Sequence, residues 1–364
     1  MTSPLKKLPF NLGKIRSIAL VQPSRIGDIV FSLPTLSGLR QIFPEARISW
    51  LVDERCKEIV EGHPDLDEII VIPFKALEKA LKEKKWLWIW QTLRQLKKDL
   101  RERSFDLSVD LHGLAKSALL VLMAGARNKI GSSNTTGMKE LSGFFSKEIL
   151  PGPKDVHTVE RNLALVRYLG GKVEHPEFKF KISPVHQDEV AVLLERAGYV
   201  QKLPLIIIHP GAGWLSRRWP VERFAELINK LKKELPVQLA VIGGAEGGSK
   251  EAQLFARLFS LIQVPVINLV QQLNLKQLIT LLDRAALFLG NEAGPMHLAT
   301  ALDKPVIAII GPTRPELTGP FGPRARIVRR KVVCSPCRER NCLDLKCMKA
   351  IEVDHVFEAV RSIL

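Results

Sequence analysis

One stretch of the chain, residues 286–313, constrains the possible folds more than any other. It begins with a short apolar run, as a buried strand does, and this run ends at Gly290. Gly294 and Pro295 then open a helix, because the first helical positions do not need the N–H that proline lacks. A second apolar run, 305–310, ends in a tight turn. Two polar loops are therefore expected side by side at the carboxyl edge of a parallel sheet, where open α/β sheets bind ligands.

The same alternation of apolar strands and amphipathic helices recurs along both halves of the chain. The strand candidates are 15–21, 47–52, 68–72, 105–111, 205–209, 237–242 and 264–268. At 364 residues the chain suits two domains. We predict a first α/β domain at 1–184, a linker at 185–203 with a helix over 186–198, a second α/β domain at 204–348, and a C-terminal helix at 349–364 that packs back on the first domain. The cleft between two such domains is the expected place for a ligand.

The charge of the chain indicates an anionic partner. The formal net charge is +16, which suits a nucleic acid, a phosphorylated small molecule or an acidic membrane surface. No apolar run approaches the roughly 20 residues of a membrane-spanning helix. The first strand is preceded by Lys6, Lys7 and Lys14 without the apolar stretch of a signal peptide. We therefore expect a cytoplasmic protein.

The loop after the first strand contains Arg25, Gly27 and Asp28. Gly27 allows a turn that a Cβ atom would hinder, and this turn places Asp28 at the sheet edge near the start of the next helix. One interpretation is that Asp28 caps this helix. The other is that Asp28 faces the cleft and accepts a proton from a substrate hydroxyl, as a general base does.

The second half of the chain has candidate phosphate-binding loops. Residues 209–220, HPGAGWLSRRWP, combine small residues with Arg217 and Arg218, whose guanidinium groups match phosphate oxygens; the alternative is a turn with solvated arginines. The helix that begins at Gly294 offers its N–H groups and dipole to an anion. The GGAEGG segment does not form a dinucleotide fingerprint, and Glu246 within it either hydrogen-bonds a ribose hydroxyl or caps a helix.

Residues 85–103, KWLWIWQTLRQLKKDLRER, have the pattern of an amphipathic helix. The residues predicted to share its core face are Trp86, Ile89, Trp90, Leu93, Leu96 and Leu100. Trp88 points the other way, among lysine and glutamine residues. It is interpreted either as an isolated exposed aromatic residue or as a contact with a lipid interface.

Four of the five cysteines lie near the end of the chain, at Cys334, Cys337, Cys342 and Cys347. Four thiols so close together suit a structural zinc ion or an iron–sulfur cluster, although the spacing is shorter than in the usual double CxxC pattern. The alternative is that these thiols hold down a loop or have no role. The remaining cysteine, Cys56, is expected to be buried.

Four motifs, in this order, resemble those of the ADP-heptose:lipopolysaccharide heptosyltransferases, glycosyltransferase family nine. They are RIGD at 25–28, FDLSVDLHG at 105–113, HPGAGWLSRRWP at 209–220 and GNEAGPMHLATALDKPVIAIIGPT at 290–313. The cysteine-rich tail, CSPCRERNCLDLKCM at 334–348, is similar to that of the heptosyltransferase II branch. The resemblance spans nearly the whole chain, and the last of the four motifs is the most specific.

The resemblance implies a GT-B fold, in which two Rossmann-like domains turn their parallel sheets towards a central cleft and the second domain holds most of the donor. It implies transfer of L-glycero-D-manno-heptose from ADP-heptose to the lipopolysaccharide inner core, with inversion at the anomeric carbon and no metal in the chemistry. Because this acceptor is membrane-bound, we expect the protein at the cytoplasmic face of the anionic inner membrane. We also expect a monomer that binds no nucleic acid.

The resemblance also implies roles for individual residues. Asp28 matches the catalytic base, and one of Arg217 and Arg218 matches a basic residue on the donor phosphates. Glu292 stands where the family usually has aspartate. The predicted donor-binding residues are Ser216, Arg217, Arg218, Glu246, Glu292, Ala293, Gly294, Pro295, Met296 and His297. The predicted acceptor-binding residues are Arg25, His112 and Gly113.

Three other functions are compatible with parts of the sequence. One is a different nucleotide-sugar transferase or epimerase on the same architecture. Another is a basic nucleic-acid-binding protein, which the charge suits but which lacks the expected stripe of alternating aromatic and basic residues. The third is a binding module without activity, which the presence of Asp28 and the arginine pair disfavours.

Overall fold

The computed structural model describes residues 10–132, 148–150, 155–244, 248–337 and 339–364. The chain divides into two α/β units, Met1–Lys181 and Ile182–Leu364. In the described part of the chain no helix is both long enough and apolar enough to span a membrane.

The first unit is built on one parallel sheet. Its strands are β1 (Ser17–Val21), β2 (Arg47–Asp53), β3 (Glu68–Ile72), β4 (Leu107–Asp110), β5 (Asn128–Ser132) and β6 (Glu148–Leu150), in the spatial order β3-β2-β1-β4-β5-β6. A short 3-10 turn, Leu12–Lys14, precedes them. The helices are α1 (Ile26–Val30), α2 (Leu33–Ile42), α3 (Lys57–Val60), α4 (Phe74–Lys82), α5 (Trp86–Glu102), α6 (Ala115–Ala124) and α7 (Thr158–Tyr168).

The direction in which successive strands are added reverses between β1 and β4. Their register places Val21 beside Asp110, so the loops that follow the two strands leave the sheet side by side. In doubly wound sheets such a reversal is the place where ligands bind. The central strands are apolar along their length because helices cover both faces of the sheet, and Ile18 and Leu20 are fully buried.

The second unit repeats this arrangement with its own sheet. Its strands are β7 (Leu205–His209), β8 (Gln238–Gly243), β9 (Ile267–Val270), β10 (Leu287–Asn291), β11 (Val306–Ile309) and β12 (Ala325–Val328), all parallel, in the order β12-β11-β10-β7-β8-β9. The helices are α8 (Pro184–Arg196), α9 (Val221–Glu234), α10 (Gly248–Leu261), α11 (Leu275–Arg284), α12 (Gly294–Ala301), α13 (Pro315–Thr318), α14 (Lys346–Lys349) and α15 (Val353–Arg361), with a 3-10 turn at Leu215–Arg217. Here the reversal lies between β7 and β10.

The predicted linker contains a helix that packs within the second unit. Helix α8 begins after Ser183, and the backbone carbonyl of Gln187 accepts a hydrogen bond of 2.8 Å from Arg284 at the end of α11. The C-terminal segment also packs in this unit, because Trp219 donates its indole N–H to the carbonyl of Ile351 at 2.9 Å. The division of the chain thus falls after Lys181, before the predicted linker at 185–203.

Helix α5 forms as predicted, but the prediction of its buried face was wrong at the N-terminal end. Only Leu96 and Leu100 are buried, whereas Trp86 and Trp90 are 62% and 55% exposed. Trp88, predicted to point away from the core, is 41% exposed. The periodicity correctly identified one face of the helix, but in its first two turns only Ile89 and Leu93 are partly covered, and the two tryptophans stay exposed.

Candidate functional site

The loop after β1 has an unusual backbone at Arg25. This residue precedes the first turn of α1 with a φ of 71°, a region that L-residues rarely adopt and that is concentrated at functional sites. The N-cap of α1 is therefore Arg25, and Asp28 lies within the first turn instead of capping the helix. Asp28 is half-buried, and its backbone carbonyl accepts a hydrogen bond of 2.8 Å from the Ser32 hydroxyl. A carboxylate in a first helical turn is stabilised by the helix dipole.

The loop after β4 is held in place by Asp110, which the sequence reasoning did not identify. Its buried carboxylate accepts backbone N–H bonds from His112 at 2.9 Å and Gly113 at 3.0 Å, and a 3.0 Å bond from the Ser117 hydroxyl. Gly113 has a φ of 66°, which glycine adopts without strain. Burial raises the pKa of Asp110 to about 6. An aspartate at the end of a buried strand, five residues before the start of a helix, was the sequence signal for this role.

Two predicted acceptor-side residues come together at this edge. Burial, together with the charges of Arg25 and Lys116, lowers the pKa of His112 to about 4. His112 is therefore a neutral imidazole near pH 7, within electrostatic range of the Arg25 guanidinium. The structure thus places Arg25, His112 and Gly113 around the sheet reversal that also carries Asp28.

Helix α7 fixes the position of α1 from the other side. Asn162 is buried and donates hydrogen bonds of 3.2 Å to the carbonyl of Phe31 and to the Ser32 hydroxyl. The Phe31 ring also packs edge-on against His157, with ring centroids 5.0 Å apart. Because Ser32 in turn bonds to Asp28, this network connects α7 to the turn that carries the candidate base.

At the second sheet, Asn291 joins the loops that leave β7 and β10. Its side chain is fully buried; the carbonyl oxygen accepts from the Trp219 N–H at 3.1 Å, and the amide donates to the Pro210 carbonyl at 2.7 Å. The strands approach closely here, since a Cβ atom on Gly290 would lie 2.6 Å from the His209 carbonyl oxygen. Burial and the charge of Arg218 lower the pKa of His209 to about 4, so this imidazole is neutral.

Glu292 is buried and is held by three partners. Its carboxylate forms a 3.4 Å ion pair with Arg217 and accepts hydrogen bonds from the hydroxyls of Thr313 and Thr318. These threonines belong to the loop after β11 and to the short helix α13. The Glu292 side chain is long enough for its carboxylate to reach Thr313. This network was not visible in the sequence, because the partners of Glu292 lie 21, 26 and 75 residues away from it along the chain.

The arginine pair is positioned by the 3-10 turn that contains it. The Arg217 guanidinium lies 4.0 Å from the ring centroid of Trp214, a cation–π contact. Arg218 donates from Nε to the Ala212 carbonyl at 3.0 Å, which turns it back over the small residues of the same loop. Arg340 packs 4.8 Å from the Trp214 ring, and its carbonyl accepts the Ser216 N–H at 3.2 Å.

The other residues that were predicted to bind the donor differ in their exposure. Ala293, Gly294 and Pro295, at the start of α12, are half-buried, whereas Met296 and His297 are buried among the core. Ser216 is also buried, and its hydroxyl has no hydrogen-bond partner among the described residues. The predicted ligand Glu246 lies outside the described residues.

The cysteine tail does not form the predicted metal site. Within the described ranges, no group of three or more His, Cys, Asp and Glu side chains is arranged to hold a metal ion. The four cysteines are free thiols in different environments, with Cys334 exposed and Cys347 buried. Burial raises the pKa of the Cys347 thiol, and the nearby Cys334 and Cys337 raise it further. The prediction of zinc or an iron–sulfur cluster at Cys334, Cys337, Cys342 and Cys347 is therefore not supported. Cys56 is buried, as predicted.

Hydrogen bonds hold this tail against the loop after β11. Ser335 donates its hydroxyl to the Gly311 carbonyl at 2.6 Å, and the Cys337 N–H donates to the Pro312 carbonyl at 2.6 Å. Together with the contact of Arg340 on Trp214, these bonds connect the tail to both loops that carry the Glu292 network. The tail therefore helps to fix the positions of the candidate anion-binding residues.

Comparison with known proteins shows the same architecture elsewhere. The crystal structure of a glycosyltransferase family 9 protein from Veillonella parvula matches with a TM-score of 0.82 at 19% identity, covering 98% of this chain and 99% of that one. The E. coli heptosyltransferase WaaC with ADP matches with a TM-score of 0.74 at 22% identity, covering 96% and 100%. Lipopolysaccharide heptosyltransferase 1 of Pseudomonas aeruginosa is 26% identical over 331 residues, which cover 89% of this chain and 87% of the relative.

Two doubly wound parallel sheets, each with its candidate residues at the strand reversal, place the protein in the GT-B class of α/β folds, as predicted. Residues 93–348 match the family model of glycosyltransferase family 9 (heptosyltransferase). The chain belongs to this family.

Proposed function

We propose that this protein transfers L-glycero-D-manno-heptose from ADP-heptose to the lipopolysaccharide inner core, with inversion at the anomeric carbon. The observation that carries the proposal is the set of cationic and helix-terminal groups at the reversal of the second sheet, in a chain of this family. The loop that follows β7 carries Arg217 and Arg218, and the loop that follows the neighbouring strand β10 leads into α12. Both loops begin at the strand reversal, which is where such sheets bind ligands.

The donor diphosphate is bound by the second unit. Guanidinium groups pair with phosphate oxygens through two parallel hydrogen bonds, and the half-buried first turn of α12 offers backbone N–H groups to the same anion. The position of Arg217 is fixed before the donor binds, by its contacts with Glu292 and Trp214 and by the 3-10 turn. Fixed positive charge stabilises the diphosphate as it leaves, which lowers the barrier without a metal ion in the chemistry.

The acceptor is bound and activated by the first unit. A displacement that inverts configuration in one step needs a base on the side of the acceptor hydroxyl, and Asp28 fills this role. Such a base typically contributes a rate factor of about 10² to 10⁴. Arg25 supplies a cation for a phosphorylated or carboxylated saccharide, and neutral His112 is able to hydrogen-bond a sugar hydroxyl. The protein acts as a monomer at the cytoplasmic face of the inner membrane and binds no nucleic acid.

The decisive experiment is a transfer assay with defined donors. The purified protein is incubated with inner-core acceptor lacking the heptose and with ADP-heptose, UDP-sugars or GDP-sugars in parallel. We expect transfer from ADP-heptose only, and NMR of donor and product should show opposite anomeric configurations. Turnover with another nucleotide sugar, epimerisation of the donor without transfer, or retention of configuration would contradict the proposal.

A further inference from the structure

The first turns of α5 expose a large apolar surface that the candidate site does not use. Trp86, Leu87 and Trp90 are 62%, 69% and 55% exposed. Three of the six tryptophans of the chain lie within five consecutive residues here. An exposed apolar cluster of this kind normally indicates an interaction surface, because isolated exposed residues are common but contiguous ones are not.

This surface continues as a basic stripe along the same side of α5. At 100° per residue, six exposed residues fall within about 100° of arc, and none of them is acidic. They form what we call the tryptophan face, which consists of Trp86, Leu87, Trp90, Arg94, Lys97 and Arg101. The Arg94 guanidinium lies 5.1 Å from the Trp90 ring centroid, so the cationic and aromatic parts of the face are in contact.

The segment before α5 adds further positive charge. Residues 81–85 read LKEKK and are all exposed, and Leu81 is 55% exposed at the end of α4. The single acid, Glu83, is already paired with Lys85 at 2.7 Å. Lys82 and Lys84 therefore extend the positive field of the tryptophan face beyond the helix terminus.

We propose that the tryptophan face binds the surface of an anionic lipid bilayer, with α5 lying in the plane of the interface. Indole rings are enriched at the boundary between headgroups and acyl chains, and flanking cations are attracted to acidic headgroups. Tryptophan and arginine are enriched at protein interfaces as well, but lysine is depleted there, so Lys82, Lys84 and Lys97 favour the lipid surface over a protein partner. The inference deepens the proposed function by naming the surface that meets the membrane.

A vesicle-binding experiment measures the affinity of the tryptophan face for lipid and needs no enzymatic turnover. Its result is therefore independent of the outcome of the transfer assay. Full-length protein is sedimented with vesicles of phosphatidylglycerol and, in parallel, of phosphatidylcholine. We expect binding to phosphatidylglycerol that weakens as salt is raised, and little binding to phosphatidylcholine. Replacing both tryptophans, Trp86→Gln with Trp90→Gln, should weaken binding about tenfold or more.

Trp88→Gln is the matched control, because Trp88 lies on the same turn but outside the tryptophan face. This variant should bind as the unchanged protein does, and brominated lipid should still quench its fluorescence. Arg94→Gln with Lys97→Gln, a second variant that keeps both tryptophans, should reduce the salt-dependent part of the affinity. Thermal unfolding checks that each variant folds.

Four results would overturn the inference. The first is equal binding to both lipids, and the second is unchanged binding after both tryptophans of the face are replaced. The third is a dimer in sedimentation velocity that the double tryptophan variant dissociates, which would make the face a contact between two copies of the chain. Loss of vesicle binding in Trp88→Gln alone would likewise exclude the assigned face.

Discussion

Arg217 and Glu292 form a 3.4 Å ion pair between the loops that follow the neighbouring strands β7 and β10. Glu292 is 2% exposed, so its charge depends on Arg217 and on the two threonine hydroxyls for compensation. The pair therefore helps to fix the arginine that we assign to the donor phosphates, in a loop that bonds to Asn291 and Arg340 also hold in place. The contribution of this ion pair to the stability of the second unit and its contribution to donor binding are separable by mutation.

Removing the Glu292 carboxylate should destabilise the second unit. Glu292→Ala leaves Arg217 and two hydroxyl donors without their acceptor, and we expect the free energy of unfolding to fall by about 1 to 3 kcal/mol. Glu292→Gln keeps an acceptor for the threonines and should cost less. Urea unfolding followed by tryptophan fluorescence measures both. Equal losses in the two variants would show that the charge of Glu292 contributes nothing.

Replacing both arginines should weaken binding of ADP. Arg217→Met with Arg218→Met removes the positive charge that we assign to the diphosphate, and the dissociation constant measured by calorimetry should rise about tenfold or more. Lys233→Met, an exposed residue of the same unit, is the control and should bind ADP normally. An unchanged ADP affinity in the double variant would exclude both arginines from the donor site.

Replacing the proposed base should reduce turnover without affecting the donor. Asp28→Asn keeps the shape of the side chain but accepts no proton, and we expect kcat to fall by about 10² to 10⁴. The affinity for ADP should remain as it was, since the donor is bound by the second unit. Glu45→Gln, at an exposed site in the same unit, controls for the change in net charge. Full turnover in Asp28→Asn would rule out the assigned role.

His209 should make stability depend on pH. Its pKa is lowered from 6.5 to about 4 in the folded protein, so between these values the unfolded chain binds a proton that the folded chain does not. The contribution of His209 to stability therefore rises with pH across this window and is complete above it, by about 3 kcal/mol. Unfolding curves at about pH 5 and pH 7 should differ less in His209→Asn than in the unchanged protein. Identical differences would contradict this assignment.

Asp110 should make the stability of the fold fall, and not rise, as the pH increases over a similar range. Its pKa is raised from 3.8 to about 6, so the folded state holds a proton that the unfolded state has lost. The stability that this group contributes is complete below about pH 4 and is lost as the pH rises through about 6. Asp110→Asn should therefore make the gain in stability between about pH 5 and pH 7 steeper. An unchanged gain in this variant would show that the carboxylate is ionised throughout this range.

Much of the architecture was accessible from local patterns. Apolar runs located nine of the twelve described strands, most of them to within two residues, as at Glu68–Ile72, and Gly294 opened α12 where predicted. Strands β5, β6 and β12 were not predicted, and β9 begins three residues later than expected. Such features depend on neighbours in the chain, which the order of residues displays directly. The motifs after β1, β4, β7 and β10 were likewise recognisable, because each follows its strand immediately.

Contacts between distant residues were decided by the tertiary structure alone. Helical periodicity assigned Trp86 and Trp90 to one face of α5, but whether that face is buried depends on which elements pack against it. The contacts of Glu292 arise only when separate loops are brought together, whereas Asp110 accepts N–H bonds from residues two and three positions further along its own loop. The amino-acid sequence by itself thus determined most of the elements, their order and the family. The three-dimensional packing determined which charged side chains find a partner, which side chains are exposed and which surface remains for another molecule. These properties depend on neighbours in space and not on neighbours in the chain.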